Sequence, residues 1–184
     1  MRRLLFGVLL ALLSQAGVAF AQVKNDSVEI TKVQIDAALK KALAERTTDQ
    51  TLSWDDIGHA NIGAGFVIRR PPDASGKQLG NIGGPLIHDK VTEVYIITAG
   101  SGEQVTGGKI LDGKPQGGPT SAIGPGLRGT KMEGGRVTRL VAGDIQIIPA
   151  GTVHMWKSVG PQGIDYVVLR IDPEKATKVT LESK

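Results

Sequence analysis

The sequence predicts an all-β domain, a sandwich or barrel, with a single amphipathic helix on its N-terminal side. Three observations carry this. Beyond about Leu52, short β-branched runs alternate with Gly- and Pro-rich turns, as they do in sandwiches and barrels. Helical periodicity is confined to one stretch, Thr31 to about Arg46. Gly143 to His154 places a Gly-Asp turn, the strand formers Ile145, Ile147 and Ile148, a sharp reversal at Pro149 and Gly151, and a histidine opening the next strand in direct succession.

Taken in order, residues 1–21 stand apart from the fold. Arg2 and Arg3 precede the apolar run Leu4 to Leu13, and Ala19-Phe20-Ala21 has the form of a cleavage site. A signal peptide cleaved after Ala21 is expected, giving a periplasmic or secreted protein with no stable membrane association after cleavage. An uncleaved anchor fits less well, because Ser14-Gln15 interrupts a run already short for a span of about 20 residues. Residues 22–50 form an N-terminal extension with the helix. Thr31 and Gln34 have capping-box spacing, and Val33, Ala37, Leu39, Ala42 and Leu43 form an apolar stripe against Lys40, Lys41, Glu45 and Arg46. Such a helix suits the outside of a barrel; a dimer arm or lid is the other use.

Residues 51–173 are expected to hold the β domain. Strand chemistry runs over Ala60–Arg70, stopped by Pro71-Pro72, and over Val91–Thr98, stopped by Gly100-Ser101-Gly102. It resumes at Arg136–Val141, Ile145–Ile148 and Asp165–Ile171, the last alternating Tyr166, Val168 and Arg170 with Val167, Leu169 and Ile171. Between 101 and 135 lie eleven glycines with Pro115, Pro119 and Pro125, which predicts a long loop, either a cover over the barrel mouth or disordered. The tail 174–184 is charged, with room for a short strand at Lys178–Leu181.

Composition narrows the function. Without residues 1–21 the formal charge is 20 − 18 = +2, the precursor having 22 Lys and Arg against 18 Asp and Glu. That is too little to imply nucleic acid or an anionic membrane as partner. The chain has no cysteine, so disulfides, thiolate zinc sites, lipidation after the apolar run and cysteine nucleophiles are excluded. No G-x-S-x-G, P-loop or dinucleotide fingerprint is present.

The segment Gly143 to His154 reads G-x5-P-x-G-x2-H and resembles the second motif of the cupin superfamily, whose final Asn is Ser158 here. The first cupin motif, G-x5-H-x-H-x4-E-x6-G, is matched in part by His88, Glu93 and Gly100, with Leu86 where the first histidine falls. The resemblance covers about Gly58 to Asp172. It implies a double-stranded β-helix, the jelly-roll cupin barrel, and assigns His88, Glu93 and His154 to one divalent metal ion, Fe, Mn, Zn or Ni. A homodimer is common in the family. His59 is the remaining histidine and a candidate to replace the ligand lost at Leu86. Tyr95 shares the parity of Glu93, and Trp156 that of His154, which makes both candidates for substrate binding. Gln146 falls on the face opposite Ile145 and Ile147 in a regular strand. The plainer readings are core or loop histidines, a surface carboxylate and ordinary core aromatics.

Two functions follow. One is an exported metal-dependent enzyme acting on a small polar, carboxylate or sugar-like substrate, of dioxygenase, isomerase or lyase type. The other is a non-catalytic barrel binding a small molecule, with or without metal, a reading that Leu86 and Ser158 favour.

Overall fold

The computed structural model describes residues 27–179 and 181; the expected signal peptide lies outside them. The helix α1, Lys32–Glu45, is the sole helix among the described residues. Thr31 and Gln34 close the expected capping box, and Arg46 ends the helix in the left-handed conformation at φ 53°. The buried face differs from the expected stripe. Ala38 and Ala42 are buried and Ile35 and Leu39 half-buried, whereas Val33 and Leu43 point outward at 76% and 47% exposure. Small residues win the contact because the helix lies close against a sheet.

Strands β1 (Asp49–Asp56) and β2 (Asn61–Arg69) form a hairpin under the helix. Phe66 and Ile68 meet α1, while Val67 faces the other way into the main core, so β2 is buried on both sides. This is the packed-helix reading of α1, not the arm or lid. A side chain on Gly63 would collide with the Trp54 ring, its Cβ lying 2.1 Å away, so the glycine makes room for the indole.

Two long strands organise the rest. Strand β4 (Thr92–Thr106) pairs antiparallel with β11 (His154–Asp172) along most of its length. β11 also pairs with β2 and, at His154, with the short β3 (Leu86–His88). β4 further pairs with β9 (Arg136–Val141) and β10 (Ile145–Ile148). The result is a curled antiparallel sheet of nine strands, a half-barrel around the core of Tyr95, Ile97, Trp156, Ile164, Tyr166 and Val168.

Three sequence expectations are corrected here. The strand starting near Val91 does not stop at Gly100. It passes through it with a register shift, Gly100 taking φ 73° against Gly163, so the glycines bend the strand instead of ending it. Segment 101–135 is neither a bare cover nor without structure. It completes β4 and adds β5 (Lys109–Ile110), β6 (Lys114–Gln116), β7 (Gly126–Arg128) and β8 (Met132–Glu133). β7 joins the main sheet beside β3, and β5 pairs with β8. Of the strand expected at Lys178–Leu181, residue 180 lies outside the described residues and the others form none; the Asp172 carboxylate instead accepts from the Ala176 and Thr177 amides and the Thr177 hydroxyl.

β10 shows the alternation of a regular strand, with Gln146 opposite Ile145 and Ile147 as expected. Ile145 and Ile147 are 63% and 65% exposed, and Ile148 is buried. Gln146 shares the inward parity with Ile148 and is half-buried, its Oε1 lacking a protein partner. The β-branched residues signalled a strand correctly; composition alone does not tell which face is wet.

The β5–β8 excursion is pinned by one side chain. The Asp112 carboxylate accepts from the Thr130 and Lys131 amides and the Thr130 hydroxyl. The Thr130 hydroxyl and these amides hold its pKa down to about 2 from 3.8. A depressed folded pKa contributes stability above about 3.8 that is lost as pH falls toward 2. In Asp112→Ala, hydrogen exchange at the Thr130 and Lys131 amides is expected to quicken several-fold, with the β4 amides unchanged. Unchanged exchange at both would show that the carboxylate does not pin the excursion.

Candidate metal and ligand site

The site is built where β3, β4 and β11 converge. The Pro149–Gly151 turn positions it. Gly151 takes φ 78°, and its amide donates to the His88 carbonyl at 2.7 Å, while the Ala150 amide donates to the Thr92 hydroxyl at 3.1 Å. The reversal thus clamps the end of β3 and the start of β4 just before β11 opens at His154. The Cα of His154 lies opposite those of Leu86 on β3 and Thr106 on β4.

His88, Glu93 and His154 are all buried, with one ligand atom from each lying within 4.8 Å of the others. His88 Nε2 and His154 Nε2 stand 3.4 and 3.5 Å from the same carboxylate oxygen, Glu93 Oε2. The Thr152 carbonyl lies 3.0 Å from His154 Nδ1. A carbonyl can only accept, so Nδ1 carries a proton and Nε2 is the nitrogen turned toward the carboxylate. That nitrogen has no hydrogen-bond partner, and neither has His88 Nδ1. A buried imidazole nitrogen facing a carboxylate oxygen calls for positive charge there, a ring proton or a metal ion. The cluster therefore fits a cation and could hold a metal ion.

Glu93 is held as an anion. Burial alone would push its carboxyl up, but the two imidazoles and the Arg170 guanidinium outweigh it and hold the group well below the usual carboxylate range. Tyr95 donates to Oε2 at 2.7 Å, and Arg170 Nε donates to Oε1 at 3.0 Å. Burial and the neighbouring Glu93 charge raise the Tyr95 phenol well above its ordinary value, so it remains a donor. Arg170 also pairs with Asp49 on β1. Gly65 leaves space for that pair: a Cβ there would lie 3.3 Å from both Arg170 Nη1 and Asp49 Oδ1.

The sequence candidates thus separate. His88, Glu93 and His154 come together. Tyr95 reaches Glu93 and acts as a positioning residue in this geometry. Trp156 is buried beside it, its ring stacked at 6.4 Å from Tyr95 and its Nε1 donating to the Tyr166 hydroxyl at 3.3 Å. His59 does not replace the missing ligand: it is exposed in the short β1–β2 turn and outside the cluster, because the β1–β2 hairpin carries that turn away from His88, Glu93 and His154. Leu86 is buried and lines the cavity, so the fourth wall is apolar.

A cavity of about 180 Å³ opens onto the cluster, room for a small molecule. Tyr166, Arg170, Arg69 and Arg128 also line it, and sequence reading singled out none of them as site residues. Tyr166 and Arg170 had a signal: an arginine in phase with Tyr166 and Val168 on an apolar strand must bury its charge, and that demands a carboxylate partner. Arg69 and Arg128 gave none, since each sits at a strand end where a solvent-facing arginine is ordinary.

No protein-family model and no curated protein matches the chain. Its neighbours among solved structures include a double-stranded β-helix protein and a Cupin 2 barrel protein. A Klebsiella pneumoniae protein with a double-stranded β-helix domain is 19% identical, covers 69% of this chain and 80% of its own, and has a TM-score of 0.40. A Cupin 2 conserved barrel domain protein from Salinispora arenicola is 16% identical over 70% of this chain and 77% of its own, at TM-score 0.39. A Bacillus halodurans protein aligns over 83% of this chain and 86% of its own, with 12% identity and TM-score 0.48. At such values the likeness is one of chain course alone.

Arg170 is the group whose loss the site tolerates least, because it leaves Glu93 and Asp49 without their cation. Arg170→Met is expected to cost about 3–5 kcal/mol in urea denaturation, as for other broken buried pairs. A cost below about 1 kcal/mol would show that Glu93 is balanced by other groups.

Proposed function

We propose that this protein binds one divalent metal ion through His88, Glu93 and His154 and acts on a small polar substrate in the adjoining cavity. The observation that carries the proposal is the unpartnered, buried Nε2 of His154 aimed at an ionised carboxylate shared with His88. Two imidazoles and a carboxylate suit Fe(II), Mn(II), Zn(II) or Ni(II). When bound, such an ion acidifies water and polarises a substrate oxygen. The chain's own residues do the rest. The Thr152 carbonyl fixes the ring orientation of His154, and Tyr95 and Arg170 fix the carboxylate of Glu93. The Trp156 and Tyr166 rings close the inner wall against water. Export, which rests on the sequence alone, and a homodimeric state, which rests on the family resemblance alone, belong to the same proposal.

A second reading, a binding barrel without catalysis, is favoured by one observation: Leu86 puts a hydrocarbon where a further imidazole would complete the cluster. Metal content alone does not separate the two readings; turnover of small acids and sugars by the metal-loaded protein does.

Elemental mass spectrometry of untagged protein is expected to find about one equivalent of a divalent metal, at least tenfold less in His154→Ala, with circular dichroism unchanged. Equal metal in both, or none after each ion is added back, would defeat the proposal. Leu86 lies beside His154 across β3 and β11, so Leu86→His is expected to slow metal loss to a chelator about tenfold or more. Unchanged loss would mean that position 86 does not face the ion.

A further inference from the structure

The cavity holds more positive charge than its own carboxylates balance. Three arginines line it, Arg69, Arg128 and Arg170, against Glu93 and Asp49. Arg170 takes both of those carboxylates. Among the described residues, Arg69 and Arg128 have no carboxylate within salt-bridge distance. Arg69 gives Nη1 to the Asn81 carbonyl at 3.3 Å, and its buried Nε has no partner. Arg128 gives Nε to the Gln116 side chain at 2.7 Å, which leaves both terminal nitrogens of the guanidinium.

Both arginines face inward by strand parity. Arg69 is in phase with Val67, a core residue of β2. Arg128 on β7 lies opposite Leu86 on β3, which lies opposite His154 on β11. Arg128, Leu86 and His154 thus form one row across the sheet, and the arginine stands next to the wall from which an imidazole is missing. The two cations differ in their surroundings: burial and then the nearby Arg69 lower the pKa of Arg128, whereas at Arg69 burial is outweighed by the Tyr166 and Tyr95 phenols and the Asp49 carboxylate, which raise its pKa, so Arg128 is the less balanced of the two. Half-buried guanidiniums held close with donors unspent are stabilised by an anion that accepts from both.

We propose that Arg69 and Arg128 form an anion subsite that binds the carboxylate of a small organic acid in the cavity beside His88, Glu93 and His154. This deepens the function proposed above by choosing an acid over a neutral sugar as its substrate class. It rests on that reading only in taking the cavity as a ligand site. The cavity of about 180 Å³ limits the acid to a few carbons. A planar guanidinium pairs with a planar carboxylate through two parallel hydrogen bonds, a geometry that a sugar hydroxyl does not offer.

The test is calorimetric titration of the purified protein with malonate, succinate and pyruvate, with glucose and inorganic phosphate as comparators, before and after metal loading. At least one carboxylate is expected to bind more tightly than glucose and phosphate. Its affinity is expected to fall at least tenfold in Arg128→Gln and in Arg69→Gln, with metal content unchanged. Arg128→Lys is expected to recover part of the loss. Arg128 sits on a short, partly exposed strand, so its variants carry the test should Arg69→Gln fail to fold. Tighter binding of glucose or phosphate than of every acid, carboxylate binding unchanged in Arg128→Gln, or no binding of any acid would overturn the subsite. Metal content reads the His88–Glu93–His154 proposal separately: metal without acid binding overturns the subsite alone, and acid binding without metal overturns the metal proposal alone.

Discussion

Everything in the site depends on one buried charge, the Glu93 carboxylate. An ionised group at 2% exposure is tolerated only with its oxygens satisfied. Its partners come from three strands: Tyr95 beside it on β4, Arg170 on β11, and the imidazoles of His88 and His154 on β3 and β11. Arg170 in turn needs Asp49 on β1, and the pair packs over Gly65 on β2, where a Cβ would crowd it. One carboxylate therefore fixes the mutual placement of five strands. The same requirement sets the chemistry, since an ionised Glu93 is the form that ligates a cation.

The turn at Pro149–Gly151 serves this charge from outside. Its amides hold the His88 carbonyl and the Thr92 hydroxyl, so the ends of β3 and β4 cannot drift relative to the start of β11. Thr152, next in the chain, offers the carbonyl that orients the His154 ring. A short sequence thus supplies position, clamp and ring orientation together, and function needs all three at one point.

Much of this was legible in the sequence, and the division has a physical basis. Strands and the capped helix follow from local chemistry, and the convergence of His88, Glu93 and His154 is what the family resemblance of the two motifs implied. What stayed hidden depends on contacts between distant segments. β4 and β11 run on through Gly100 and Gly163 because a partner strand holds them, which no local propensity records. Val33, Ile145 and Ile147 turn outward because the available neighbours lie on the other side. Arg69 and Arg128 become site residues only when β2 and β7 curl around one cavity, and a terminal arginine on a strand does not announce that. The glycine-rich excursion read as a loop because its strands are two or three residues long and depend on Asp112 and on β3 for their order.

The central claim is that Glu93, His88 and His154 share one cation. It is tested most directly by diffraction from crystals of the metal-loaded protein, recorded on both sides of the metal's absorption edge. The expected result is a single anomalous peak within bonding distance of Glu93, His88 and His154, with His154 ligating through Nε2. A peak elsewhere, or only water between the imidazoles and the carboxylate, would contradict the account and leave Glu93 as a structural anion held by Arg170 and Tyr95.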